Sequence, residues 1–420
     1  MTSRKLLWVA ALATLLTGTL YAQDITGNWQ GTLKAGPQEL RTILQVTKAD
    51  AGWNATMYSM DQGADPIPVS AISLEGSTFK YKVDAVRGSY EGKLSADRAS
   101  IEGTWTQGRP LPLKLERATK ETAWKIDQGS HTVQFINVDK EVKLEVLDWG
   151  GTGRPLVLLT GLGNNAHIFD KFAAKLIGSY HVYGITRRGF GESSKPASGY
   201  EADRLGDDVL AVIDALKLNK PVLAGHSIGG EELSSVGSRH PEKVAGLIYL
   251  DAGYGYAFYD KARGNYYVDM GDLRRKLDQL RAQPNGDLTV IRELLETSLP
   301  AFEKALAEQE KLIQTLPAAP PNAEPGPTPA TSILMGGQKY TRIPAPVLAI
   351  YALPHNLGPN ATSEMKALDQ ESTGAFAKAF EAGVPTARVV RLPNANHYVF
   401  LSNEADVLRE MNAFIGALPQ

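Results

Sequence analysis

From residue 156 onward this chain of 420 residues is punctuated by short, continuously apolar runs: Leu156 to Leu159, His181 to Ile185, Val222 to Ala224, Val244 to Leu250, Val347 to Tyr351 and Val389 to Leu392. Helical stretches separate them. A strand that is apolar on both faces must be covered on both faces, so the pattern predicts a parallel sheet between two layers of helices. Two alternating segments, Thr132 to Val138 and Val142 to Asp148, come first and suit an antiparallel start to that sheet. Ligand sites in such sheets lie at the carboxyl ends of the strands, and every candidate catalytic residue below falls at such an end.

Upstream the period changes to two. Phe79, Tyr81 and Val83 alternate with Lys80 and Lys82, and Leu111, Leu113 and Leu115 with Pro112, Lys114 and Glu116. One buried face per strand is the expectation, giving a small antiparallel all-β domain over residues 23–118, a meander or barrel-like sheet. Before it, Arg4 and Lys5 precede the apolar stretch Leu6 to Leu20, and Ala22 offers a small residue ahead of Gln23. Residues 1–22 thus read as a secretion signal, with a retained N-terminal anchor as the alternative. The expected location is secreted or periplasmic, with no integral membrane span after cleavage.

Composition narrows the chemistry. With no cysteine, the chain uses no disulfide, no cysteine nucleophile and no thiolate metal site. A net charge of −2 gives no electrostatic reason to expect nucleic acid or an anionic membrane as partner.

Directly after Pro221-Val222-Leu223-Ala224 stands Gly225-His226-Ser227-Ile228-Gly229-Gly230, followed by a helix-like run from Glu231 to His240. A serine between glycines at a strand-to-helix turn is a nucleophile elbow. The turn is so tight that side chains two before and two after the serine would collide, and glycine removes the collision. Ser227 is the candidate nucleophile.

These residues carry a resemblance to the α/β-hydrolases over about Gln134 to Leu418. The fold class expected is therefore α/β, a mostly parallel α/β-hydrolase sheet with a helical lid, preceded by the antiparallel β domain. Leu158-Leu159-Thr160-Gly161-Leu162-Gly163 is similar to the family's His-Gly-x-Gly segment, with Thr160 in place of histidine. The resemblance implies an oxyanion hole from the backbone N–H groups of Leu162 and Ile228. Arg187-Arg188-Gly189-Phe190-Gly191-Glu192-Ser193 is similar to the family's Asp-x-Arg-Gly-x-Gly-x-Ser turn, with Thr186 where aspartate is usual. That turn is mostly architectural. The family's dehalogenases and epoxide hydrolases use aspartate at the elbow, so Ser227 argues against both. The β domain resembles the lipocalin-like modules found ahead of bacterial exported hydrolases.

A serine hydroxyl needs a base. His397, in the loop Pro393 to His397 after the strand ending at Leu392, stands where the family places its catalytic histidine. The family usually supplies its acid after the next-to-last strand, but Tyr351-Ala352-Leu353-Pro354-His355-Asn356 contains no carboxylate. Asn356 could accept a hydrogen bond yet not stabilise an imidazolium by charge. Asp251, ending Leu247 to Leu250, is the alternative acid, since some members of the family place it there. An aspartate in that spot can also merely hold the loop. Among other histidines, His226 is expected to pack beside the elbow, and His167 to line the pocket or start a helix. Glu231 and Glu232 either complement the helix N-terminus or touch substrate.

Residues 119–420 form the expected hydrolase domain, interrupted at about 252–342 by an insertion that opens on Tyr254, Tyr256, Phe258 and Tyr259. Helical stretches Met270 to Ala282 and Leu288 to Leu316 follow, and then a proline-rich segment from Pro317 to Pro329 with neither regular helix nor sheet. The family places its lid here. The function expected is an exported serine hydrolase on carboxylic esters, thioesters or lactones of small to medium apolar molecules, without metal or organic cofactor. Two alternatives remain: an aminopeptidase or amidase, for which Glu293, Glu296 or Glu303 would have to anchor an amine, and a non-catalytic binding protein on the same scaffold.

Overall fold

A computed structural model describes residues 24–419 except 36–37, 51, 61–65, 125–130, 283–287, 314–327 and 359–360. The expected signal, residues 1–22, lies outside the described residues, as does most of the proline-rich segment.

The alternating N-terminal sequence forms nine antiparallel strands: β1 (Gly27–Ala35), β2 (Gln38–Lys48), β3 (Trp53–Ser59), β4 (Ile67–Pro68), β5 (Ala71–Glu75), β6 (Thr78–Val83), β7 (Gly88–Leu94), β8 (Ser100–Gln107) and β9 (Arg109–Arg117). Their order is β4-β3-β2-β1-β9-β8-β7-β6-β5, two meanders joined where β1 pairs with β9, and the sheet curls into a half-barrel. Its inner face buries Trp29, Leu44, Phe79, Tyr81, Ile101 and Trp105. Lys80 and Lys82, one residue out of phase, stay exposed, as the pleat requires.

Eight further strands build the second sheet: β10 (Thr132–Asp139), β11 (Val142–Gly150), β12 (Pro155–Leu159), β13 (His181–Ile185), β14 (Val222–His226), β15 (Gly246–Leu250), β16 (Val347–Ala352) and β17 (Ala387–Leu392). The order is β10-β11-β13-β12-β14-β15-β16-β17, antiparallel from β10 to β13 and parallel from there on. Successive residues feed opposite cores. Leu156 and Leu158 face one layer with Phe172, Phe400 and Phe414. Val157 and Leu159 face the other with Val212, Leu233 and Phe380. The continuously apolar runs are thus strands buried on both sides, and the loops that can carry chemistry emerge at their carboxyl ends.

Between β15 and β16 the chain forms helices Tyr266–Ala282, Leu288–Glu293 running on through Ser298 into Leu299–Ile313, and Pro329–Met335. The last corrects the reading of Pro329 as the end of an irregular stretch. Pro329 is the first residue of a helix, where its missing N–H costs nothing, and Thr328 and Thr331 cap each other ahead of it. This helix matters for position: Ile333 and Leu334 pack with Ile228, Leu162, Phe190 and Tyr256 in one apolar cluster beside the elbow.

Candidate active site

Ser227 follows β14 directly and adopts φ 51°, a left-handed conformation rarely tolerated outside glycine. The neighbouring glycines show why the turn can close. A Cβ on Gly230 would lie 2.2 Å from the Ala252 carbonyl oxygen, and one on Gly225 would lie 2.8 Å from that of Gly229. At the end of the adjacent strand, Asp251 adopts φ 49°. Two side-by-side strands therefore end in strained residues whose side chains are turned over the sheet edge, a condition that persists only where the surroundings enforce it.

The loop after β17 brings His397 between them. Its Nε2 lies 2.9 Å from Ser227 Oγ and its Nδ1 2.6 Å from Asp251 Oδ2. A carboxylate accepts only, so Nδ1 carries the proton and Nε2 is free to accept from the serine hydroxyl. Asn356 is turned elsewhere, its Oδ1 accepting from the Gly358 N–H at 3.0 Å. Asp251, fully buried, accepts on Oδ1 from the Ala352 N–H at 2.9 Å and the Tyr254 hydroxyl at 2.8 Å. Burial would raise this carboxyl, but hydrogen bonds from His355 and His397 outweigh it and hold Asp251 well below the usual carboxylate range.

Leu162 sits in the turn after β12, and Ile228 at the start of the helix Gly229–Arg239. Among the described residues neither N–H donates a backbone hydrogen bond. The segment carrying Leu162 is tied down by Arg187. Its guanidinium donates to Glu232 Oε1 and Oε2 at 2.8 and 2.7 Å and to the Thr160 carbonyl at 2.7 Å. Glu232 thus braces the helix Gly229–Arg239 against the Thr160–Gly161 segment through Arg187. Arg188 makes a parallel fork to Asp208, 2.6 Å to each oxygen. Thr186 takes the place of the usual aspartate by donating to Glu145 Oε2 at 2.6 Å while accepting from the Ala166 N–H.

Glu231 is fully buried, and neither of its oxygens has a hydrogen-bond partner among the described residues. Burial first, then the charge of Glu232, pushes its carboxyl well above the ordinary value. His226 packs beside His397, ring centroids 4.7 Å apart, and its Nε2 donates to the His397 carbonyl at 3.0 Å. Burial and the neighbouring His397 drive His226 down to about 3, which keeps it neutral. His167 starts a short helical turn capped by Asn165 and contacts Asp170 and Glu145.

Two residues named in the sequence only as parts of longer segments also sit at the site. Tyr256 packs with Ile228 in the apolar cluster beside Ser227. His355 donates to Asp251 from one ring nitrogen and to Asp369 from the other. Neither carries a motif; only the fold brings them in.

A family model described as "Alpha/beta hydrolase family" matches residues 156–410, which holds every residue of this constellation. The chain belongs to the α/β-hydrolase family. Among curated relatives, the dihydrolipoyllysine-residue acetyltransferase component of the acetoin cleaving system of Pseudomonas putida is 28% identical over 60% of this chain and 61% of its own length. AB hydrolase superfamily protein YisY of Bacillus subtilis is 37% identical over 28% and 44%, and 3-oxoadipate enol-lactonase 2 of Acinetobacter baylyi 31% over 26% and 41%. The chain therefore spans less than two-thirds of the length of each of these relatives. A thermophilic esterase from Thermogutta terrifontis superposes with TM-score 0.44 at 20% identity, covering 68% of this chain and 98% of that one. Among the described residues no helix is long and apolar enough to cross a membrane.

Proposed function

We propose that this hydrolase is an exported serine esterase acting through an acyl-enzyme on small to medium apolar carboxylic esters, with thioesters and lactones inside the same chemistry. The observation that carries the reading is the unbroken hydrogen-bond chain Ser227–His397–Asp251, at 2.9 and 2.6 Å. Ser227 Oγ attacks the carbonyl carbon as His397 Nε2 takes its proton. Asp251 keeps the Nδ1–H tautomer in place and offsets the imidazolium charge. The carbonyl oxygen gains charge only in this step, and the Leu162 and Ile228 N–H groups receive it; removing one such donor typically costs about 3 kcal/mol of transition-state stabilisation. The proton then passes to the leaving alcohol, and water repeats the sequence on the acyl-enzyme.

The apolar cluster of Leu162, Phe190, Ile228, Tyr256, Ile333 and Leu334 beside the elbow supports an apolar acyl or alcohol group. An aminopeptidase needs an anion facing the substrate amine, and the residues named for that role do not support it. Glu293, Glu296 and Glu303 are exposed, and Glu293 bonds Lys276. Export rests on the N-terminal pattern of Arg4, Lys5 and Leu6 to Leu20, and the lipocalin-like kinship of the β domain on its alternation and half-barrel shape. Release of a mature chain beginning at Gln23 tests the former.

Hydrolysis of p-nitrophenyl esters of increasing chain length, compared with Ser227→Ala, tests the activity. Turnover that vanishes in the variant supports the esterase and its length dependence sizes the pocket. Activity on aminoacyl amides in preference to esters, or none on either, overturns it.

A further inference from the structure

In the loop after β16, where the family usually carries its acid, this chain places a histidine between two carboxylates. His355 Nε2 lies 2.9 Å from Asp251 Oδ2 and its Nδ1 2.9 Å from Asp369 Oδ2, on the helix Ser363–Gly383. Carboxylates offer only acceptors, so both ring nitrogens must carry protons for both bonds to form. The geometry therefore calls for the imidazolium, and the hydrogen-bonded chain runs Ser227, His397, Asp251, His355, Asp369. The side chain is enclosed, 8% exposed, whereas that of His397 is 41% exposed.

We propose that His355 is a positioning residue held as a permanent cation by Asp369, and that its charge sets the pH range in which His397 serves as the base. The proposal deepens the esterase reading and rests on it. Asp251 alone would favour the protonated form of His397, which cannot accept the serine proton. A fixed positive charge on the far side of the same Oδ2, with ring centroids 6.4 Å apart, opposes that protonation and extends the active range toward lower pH. It also holds the carboxylate from a second direction, so Asp251 cannot swing away when His397 moves. The titratable groups that face His355 are Asp251, Asp369, Tyr254 (hydroxyl 3.4 Å from Nε2) and His397. Those facing His397 are Asp251, His226, His355 and Tyr398. Burial would lower His355, but the two carboxylates outweigh it and carry it up to about 10.

The test compares pH profiles of kcat/KM for a p-nitrophenyl ester, and of the rate of fluorophosphonate labelling, in the native chain, His355→Gln, Asp369→Asn and Ser227→Ala. His355→Gln keeps a donor toward Asp251 and removes the charge. Asp369→Asn keeps His355 in place and loosens its proton, which guards against a first variant that does not fold. Two unit charges at this separation, at an effective dielectric of about 20 to 40, correspond to about one to two pH units. The acid limb is expected to move up by that amount in His355→Gln and by less in Asp369→Asn. Acid limbs of both folded variants within about 0.3 unit of the native limb overturn the proposal while leaving the esterase intact. No labelling of the native chain beyond that of Ser227→Ala sinks the esterase reading itself.

Discussion

Asp251→Asn separates the acid proposed here from a merely structural aspartate. The native carboxylate serves four donors: His397 Nδ1 and His355 Nε2 on Oδ2, the Tyr254 hydroxyl and the Ala352 N–H on Oδ1. An amide offers one oxygen and one NH2 group. With the NH2 toward the histidines, it opposes two N–H donors and drives His397 into the Nε2–H tautomer, which cannot take the Ser227 proton. The amide NH2 then donates to His397 Nδ1, and the bond from His355 to a charged group is lost, about 1.5 to 3 kcal/mol of native stability. With the NH2 toward Tyr254, the hydroxyl can turn to accept, and only the Ala352 N–H is orphaned, at about 1 to 3 kcal/mol. Either way the imidazolium formed during attack loses its counter-charge, and the expected loss in kcat is about 10³ to 10⁴-fold, or about 4 to 5.5 kcal/mol. The assay is steady-state ester hydrolysis below the melting temperature, with folding checked by circular dichroism and active sites counted by fluorophosphonate titration. A folded Asp251→Asn within about tenfold of native kcat refutes the reasoning, and so does Asn356→Ala producing the loss instead.

Three further outcomes follow from buried charge. Glu232→Gln leaves the Arg187 guanidinium buried without its carboxylate and is expected to cost about 3 kcal/mol or more in urea denaturation, with a fall in kcat from a loosened Thr160–Gly161 segment; an unchanged midpoint counts against this bracing. Glu231 keeps its proton in the folded state to a higher pH than in the unfolded chain. Its cost therefore begins above about 4.5 and grows with pH, and Glu231→Gln should gain melting temperature over the native chain between pH 5 and 8. A difference independent of pH rejects that. His226, lowered to about 3, takes up its proton first in the unfolded chain, so stability falls as pH drops from 6.5 toward 3; His226→Gln should flatten this slope of unfolding free energy against pH.

The sheet was legible because continuously apolar strands have one stable solution, and Ser227, His397 and Asp251 because each stands at a strand end that the chain order makes identifiable. What was not legible depends on distance in sequence. Arg187 read as part of a turn, since its partner Glu232 lies 45 residues on. His355 read as a gap in a pattern that expected a carboxylate, since nothing near it announces that Asp369 will face it from a helix and Asp251 from a neighbouring strand. Pro329 was taken for a breaker because proline is also a good first residue of a helix, and only the Thr328 cap decides between the two.

Asp251 directly follows the last residue of β15 and is the first of the excursion that forms the helical insertion. Three residues later Tyr254 grips its carboxylate, and two after that Tyr256 packs with Ile228, the residue after Ser227. The insertion is therefore tethered through the Asp251 carboxylate itself. Side chains that reshape the opening to admit a bulkier ester also pull on the acid, so in this chain substrate range and turnover share one mechanical linkage and are expected to change together when the 252–258 segment is altered.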